Sequence, residues 1–394
     1  MSLIRTDAVR FGGSISAPAF NDHKAFQGAL QAEHNAVYSR GTQVFSASMA
    51  SNSPSMTLLV RHEACYLSLL CLAVAIAAGC DRVAAVTKGA TTEIAFPTAA
   101  HGASMTRLVV GGEAIAKPFA WPVFTPSGLP ATRSWPMDDS ARETKDHGHQ
   151  KSVWFSHGGV VASPTKKAGI DQPVLRANFW SEEPGHGRIR LTDGEFTVKT
   201  SGGLPNEVNA NYDWTDHAGR TLLEERRTVT FFQAGPNAWR WEWRIILEAA
   251  NGDAEFEDTK EGSMGVRVVD SITERQGGQL VDAKGRTGEK NIWGREADWC
   301  AYAGRYQGKP IVVALLDDPA NPHRACWHVR SYGLLAANPF GRVKSGFPDR
   351  VGMPDAVRIR HGESLEFRYG LLVLDGELDE ARHLLTEALA RWGR

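Results

Sequence analysis

The sequence predicts an all-β protein, a large antiparallel β-sandwich with one helix at its C-terminal end. Three observations carry this prediction. Short apolar runs alternate with polar residues at period two along the chain after residue 107, the pattern of strands that bury one face. Gly, Pro, Asn and Asp break those runs at intervals of roughly ten residues, as turns between antiparallel strands require. The strand–helix–strand rhythm of a parallel sheet is missing.

Taken in order, the alternating runs are Arg188 to Leu191 with Phe196 to Lys199, Arg227 to Phe232, Trp239 to Leu247, Met264 to Val269, Pro310 to Leu316 and Leu365 to Leu374. The end of the chain departs from them. There Leu378, Ala381, Leu384, Leu385, Ala388, Leu389 and Trp392 fall on one helical face, predicting a single helix packed on the sheet. At 394 residues and 42% hydrophobic content the chain can bury a large core without disulfides or metals. Most of its 12 tryptophans are expected in that core.

The N-terminal region reads differently. From Met56 to Gly79, Arg61 and His62 precede an apolar run, Tyr66 to Ala78, that ends in small residues. That is the outline of a signal peptide, and the run is shorter than the roughly 20 residues of a spanning helix. Ala77-Ala78-Gly79-Cys80 is similar to a bacterial lipoprotein box, with Cys80 the lipidated residue. The expected organisation is therefore a mis-called start or disordered segment over 1–55, a signal peptide over 56–80, a tether over 81–106 and a sandwich domain over 107–394. The product is expected to be exported, periplasmic or lipid-anchored at the cell envelope, and to touch the membrane only through that anchor or leader. Cys300 and Cys326 are left in the mature body, and their spacing does not decide whether they pair. A formal charge of −1 gives no field that would gather nucleic acid.

Three polar clusters are candidate sites. In Asp146-His147-Gly148-His149, an extended backbone places both imidazoles on one face, and His157 joins them from the next strand. Imidazole ligates metals and exchanges protons near neutrality, so a divalent metal held by His147, His149 and His157 and acid/base catalysis by the same residues are both open. Asp258-Thr259-Lys260-Glu261-Gly262 enters a strand carrying Arg267, and neighbouring charges there shift carboxyl pKa values. In Trp327 to Gly333, His328, Arg330 and Tyr332 alternate onto one strand face that a buried core would not tolerate without partners, and Asn338-Pro339 follows with a turn. The catalytic candidates are His147, His149, His157, Glu261 and His328. Lys260, Arg267, Arg330, Tyr332 and Asn338 are the binding candidates.

Five stretches carry a family resemblance: Lys117 to Pro136, Asp146 to Val160, Asp258 to Val268, Gly288 to Trp299 and Asp317 to Gly341. They resemble a bacterial family labelled methane oxygenase PmoA-like. The resemblance implies an exported sandwich of the kind seen in sugar mutarotases and polysaccharide-active enzymes. The body has no run apolar enough for the spanning helices of the membrane oxygenase behind that label. The expected function is an extracytoplasmic carbohydrate-active enzyme, a hydrolase or lyase, acting on a glycan or modified sugar. A non-catalytic glycan-binding lipoprotein and a metal-dependent oxygenase are the alternatives. If translation starts at Met56, N-terminal sequencing of the exported protein will find no residue preceding it; a mature product retaining Phe11 to Ser55 contradicts that start.

Overall fold

Alternation along each strand assigns its residues to opposite faces, and the two faces meet different neighbours. On the strand Ser364–Asp375, Phe367, Tyr369, Leu371 and Val373 enter one core while Leu372 and Leu374 enter another. The computed structural model describes residues 58–59, 85–88, 91–97 and 104–393, apart from 140–142, 166–168, 170, 202–203 and 355. All belong to the unit Ser55–Arg394.

Among the described residues the strands form three antiparallel sheets. The nine-stranded sheet runs from edge to edge through Leu58–Leu59, Arg188–Ser201, Leu204–Thr215, Thr221–Gly235, Ala238–Ala249, Ser364–Asp375, Lys309–Asp317, Trp299–Tyr306 and Gln279–Asp282. The eight-stranded sheet runs through Cys326–Arg330, Leu334–Asn338, Gly262–Arg267, Val153–His157, Phe119–Val123, Ser104–Gly112, Thr91–Pro97 and Ala85–Lys88. A four-stranded sheet, Val357–Ile359, Gly252–Phe256, Val160–Pro164 and Leu175–Ala177, completes the set.

The two large sheets share one core. Phe155 of the eight-stranded sheet meets Trp214 and Tyr369 of the other at ring-centroid distances of 5.9 and 6.2 Å, and Phe96 stacks on Phe231 at 3.7 Å. Each fully buried Phe stabilises such a core by roughly 1.5–3 kcal/mol. The expected all-β sandwich is thus the observed one. The predicted terminal helix is present as α1, Leu378–Trp392. It lays Ala381, Leu385 and Ala388 on Val312, Ala314, Leu316, Leu372 and Leu374, covering part of the nine-stranded sheet's other face.

One expectation changes. The stretch 81–106 contributes the strands Ala85–Lys88 and Thr91–Pro97 and the start of Ser104–Gly112, so there the sheet extends into what composition suggested was a tether. Its Ala- and Thr-rich make-up conceals Ile94 and Phe96, which are buried at alternate positions. Of the expected leader, only Leu58–Leu59 is described, paired with Val198 and Thr197. The rest of it, Cys80 and residues 1–55 lie outside the described residues. Cys300 and Cys326 are free thiols in the core, and burial raises the pKa of both, Cys326 to about 12. No helix among the described residues is long and apolar enough to cross a membrane.

One ion pair lies inside the sandwich. Arg227 Nε and Nη2 donate to Glu225 Oε1 and Oε2 at 2.5 and 3.0 Å, and Trp214 Nε1 donates to Oε2 at 2.7 Å. The Arg227 guanidinium is flanked by the Tyr212 and Trp243 rings at 4.8 and 5.5 Å. Removing one partner of such a pair leaves an uncompensated buried charge. Glu225→Gln is expected to cost roughly 3–5 kcal/mol in urea denaturation, whereas the double change Glu225→Leu with Arg227→Met recovers most of that loss.

Candidate active site

The eight-stranded sheet has a second face, turned away from the sandwich core. Trp154, Leu334 and Ala336 alternate onto it and form a separate apolar patch with Val109, Phe119 and Trp180. Gly265 permits this packing, since a Cβ there would lie 2.6 Å from a Trp154 ring carbon. Trp154 and Trp180 meet edge-to-face at 5.0 Å. Above this floor opens a cavity of about 280 Å³. His147, His149 and Gln150 line it on one side, Trp180 and Ser181 on another, and Lys260, Glu261, His328, Arg330 and Tyr332 on the rest.

Buried polar contacts hold each wall. Asp146 Oδ1 accepts from Arg133 Nη1 at 2.5 Å and from Arg267 Nη2 at 2.9 Å, so one carboxylate joins two buried guanidinium groups. Arg133 Nη2 also donates to the His147 carbonyl at 3.2 Å, and Arg267 Nη1 to Gln150 Oε1 at 2.7 Å. The resulting turn holds His147 at φ 41°, a left-handed conformation costly for a non-glycine residue. Its ring stacks on Tyr332 at 5.0 Å and meets His149 at 5.8 Å. Arg267 lies behind Tyr332, its guanidinium 4.4 Å from the ring centre.

The loop bearing Lys260 and Glu261 is held by Asn338, whose Nδ2 donates to the carbonyls of Thr259 and Lys260 at 2.9 and 3.0 Å. Trp180 is held through its carbonyl, which accepts from Lys117 Nζ at 2.6 Å, and Lys117 and Lys151 both pair with Glu182. Arg330 Nη1 donates to Glu289 Oε1 at 2.9 Å, with the guanidinium 4.0 Å over the Trp293 ring.

These surroundings set the charges. Burial pushes His149 down to about 4 and His328 to about 3, with Lys117 near the first and Arg330 near the second adding to the effect, so both imidazoles are neutral at physiological pH. Burial raises the Glu261 carboxyl against the opposing pull of Lys260, Arg330 and His147. Burial would also raise Asp146, but Arg267 and Arg133 outweigh it and keep that group ionised. Among the described residues the cavity thus holds one carboxyl of raised pKa beside the neutral imidazoles of His149 and His328, a combination that can give and take protons.

The three sequence clusters converge, with exceptions. His147, His149, Lys260, Glu261, His328, Arg330 and Tyr332 line one cavity. His147 and His149 come together through a turn, not along the extended strand expected, because Gln150 N–H donates to the His147 carbonyl at 2.9 Å. His157 does not join them. It is buried between Phe256 and Phe340, with Nε2 2.9 Å from the Glu257 carbonyl oxygen, and burial lowers its pKa to about 4. The proposed metal set of His147, His149 and His157 therefore does not assemble, and no group of three His, Cys, Asp or Glu among the described residues is placed to hold a metal ion. Arg267 and Asn338 lie behind the lining as supports. Sequence reading missed Gln150, Trp180, Ser181 and Trp293; the tryptophans carried no signal separating them from core aromatics.

A family model matches residues 97–384. The chain belongs to DUF6807, a family of unknown function. This assignment replaces the methane oxygenase PmoA-like resemblance, since the stretches that suggested it fall within the DUF6807 match. No curated protein matches the chain. Among solved structures it is similar to a polysaccharide lyase at 12% identity and a TM-score of 0.28, over 77% of this chain. The chain spans 35% of that lyase's length.

Because His149, His157 and His328 bind protons less readily folded than unfolded, stability from them is fully present above pH 6.5 and is lost as pH falls towards about 4. Thermal midpoints followed across that range should fall before the ion-paired carboxylates of this DUF6807 member begin to titrate. A flat profile between those limits would show that the imidazoles are solvated.

Proposed function

We propose that the cavity is the active site of a carbohydrate-active enzyme of hydrolase or lyase type. The observation that carries this reading is the presence of Glu261, with its raised carboxyl pKa, in one cavity with His147 and His149 and the Trp180 and Tyr332 rings. Cleavage of a glycosidic bond requires a proton for the departing sugar oxygen, and a carboxyl whose pKa burial raises is better suited to donate it than an ordinary one. A neutral imidazole then accepts a proton from the attacking water in hydrolysis, or from the sugar carbon in elimination. Arg330 and Lys260 orient the oxygens of the sugar.

Export through the segment 56–80 belongs to the same reading, and cell fractionation of the tagged chain tests it. The catalytic assignment is tested by digesting a glycan library and analysing products by mass spectrometry. Glu261→Gln is expected to lower turnover of a confirmed substrate by about 10²–10⁴-fold, and His149→Ala to lower it as well, with circular dichroism unchanged. Undiminished turnover in both variants removes those residues from the mechanism. Saturable oligosaccharide binding with no product would instead identify a glycan-binding protein.

A further inference from the structure

Charge is unevenly distributed around the cavity. Among the described residues its lining carries the basic side chains Lys260 and Arg330 and a single carboxyl, Glu261. Arg330 is fixed in place, because Glu289 Oε1 accepts from it while Glu289 Oε2 accepts from the Ser331 N–H at 2.7 Å. Lys260 is exposed at the rim and makes no ion pair among the described residues. Two lining side chains also have polar atoms without partners. Trp180 and His328 are 1% and 2% exposed, and neither Trp180 Nε1 nor His328 Nδ1 has a hydrogen-bond partner among the described residues. An indole N–H only donates, so any partner of Trp180 Nε1 is an acceptor.

These features favour a ligand rich in acceptors and negatively charged. We propose, on the basis of the carbohydrate reading of this cavity, that the bound sugar unit is acidic: a hexuronate whose carboxylate lies between Lys260 and Arg330 while a ring or hydroxyl oxygen accepts from Trp180. A planar guanidinium suits a planar carboxylate, and the mobile ammonium of Lys260 closes over its outer edge. A cavity of about 280 Å³ has room for such a ring. Lys260 and Glu261 adjoin in sequence, which brings the anion-binding group next to the proposed proton donor.

The test is an NMR titration of the full chain with methyl glucuronoside, its uncharged methyl ester, methyl glucoside 6-sulfate, acetate and inorganic sulfate, repeated in Lys260→Gln. The glucuronoside is expected to bind roughly tenfold or more tightly than its ester, a preference that added salt weakens and Lys260→Gln largely removes. Equal affinity for acid and ester overturns the acidic ligand and leaves the carbohydrate reading standing. Equal affinity for glucuronoside and sulfated glucoside overturns the carboxylate assignment. Acetate or sulfate binding as tightly as the glucuronoside overturns the carbohydrate reading, because the ring then contributes nothing. No binding of any of the five overturns both.

Discussion

Alternation across the eight-stranded sheet is the constraint on which the rest of the molecule depends. Each residue committed to the sandwich core has neighbours on its strand that face away from it. Val153 and Phe155 point inward and Trp154 outward, while Met264 and Val266 point inward and Gly265 and Arg267 outward. Trp327 and Val329 enter the core, leaving His328 and Arg330 for the opposite face. Sliding any of these strands by one residue would empty the core and the site together. The hydrophobic contact between the large sheets thereby fixes the register of the candidate active site.

On that platform the polar chemistry is arranged by buried charges. Asp146, shared between Arg133 and Arg267, ties the turn bearing His147 and His149 to the sheet. Taking three charged groups from water is expensive, and contributions of this kind to net stability are small or negative. Their effect is geometric: they hold His147 in a left-handed conformation beside Tyr332. Asn338 does the same for Glu261 without charge, through two backbone carbonyls. Arg267 and Asn338, which sequence reading placed among the binding residues, thus lie one layer behind the cavity lining.

Much of this site was legible in the sequence for a simple reason. A strand such as Cys326–Arg330 that alternates apolar residues with His and Arg announces a polar face, and the face proved to be a cavity wall. The charged turn before Gly262 was legible in the same way. His157 misled because it was paired with His147 and His149, whereas its place two residues past Phe155 on the strand Val153–His157 sets it on the core face. Here it packs between two phenylalanines with its ring nitrogen satisfied by a carbonyl. Trp180 and Trp293 were hidden for the opposite reason, since one tryptophan among 12 looks like any other until its neighbours are known.

The sequence by itself determined the fold class, the terminal helix and the segments that carry polar side chains, because period and turn chemistry are local properties. Tertiary structure decided which of those segments meet. Residues near 147, 180, 261 and 330 converge only when non-adjacent strands pair and loops close over the sheet. It also shifted the pKa values of His149, His328 and Glu261, because burial depends on everything packed around a group and not on its sequence neighbours.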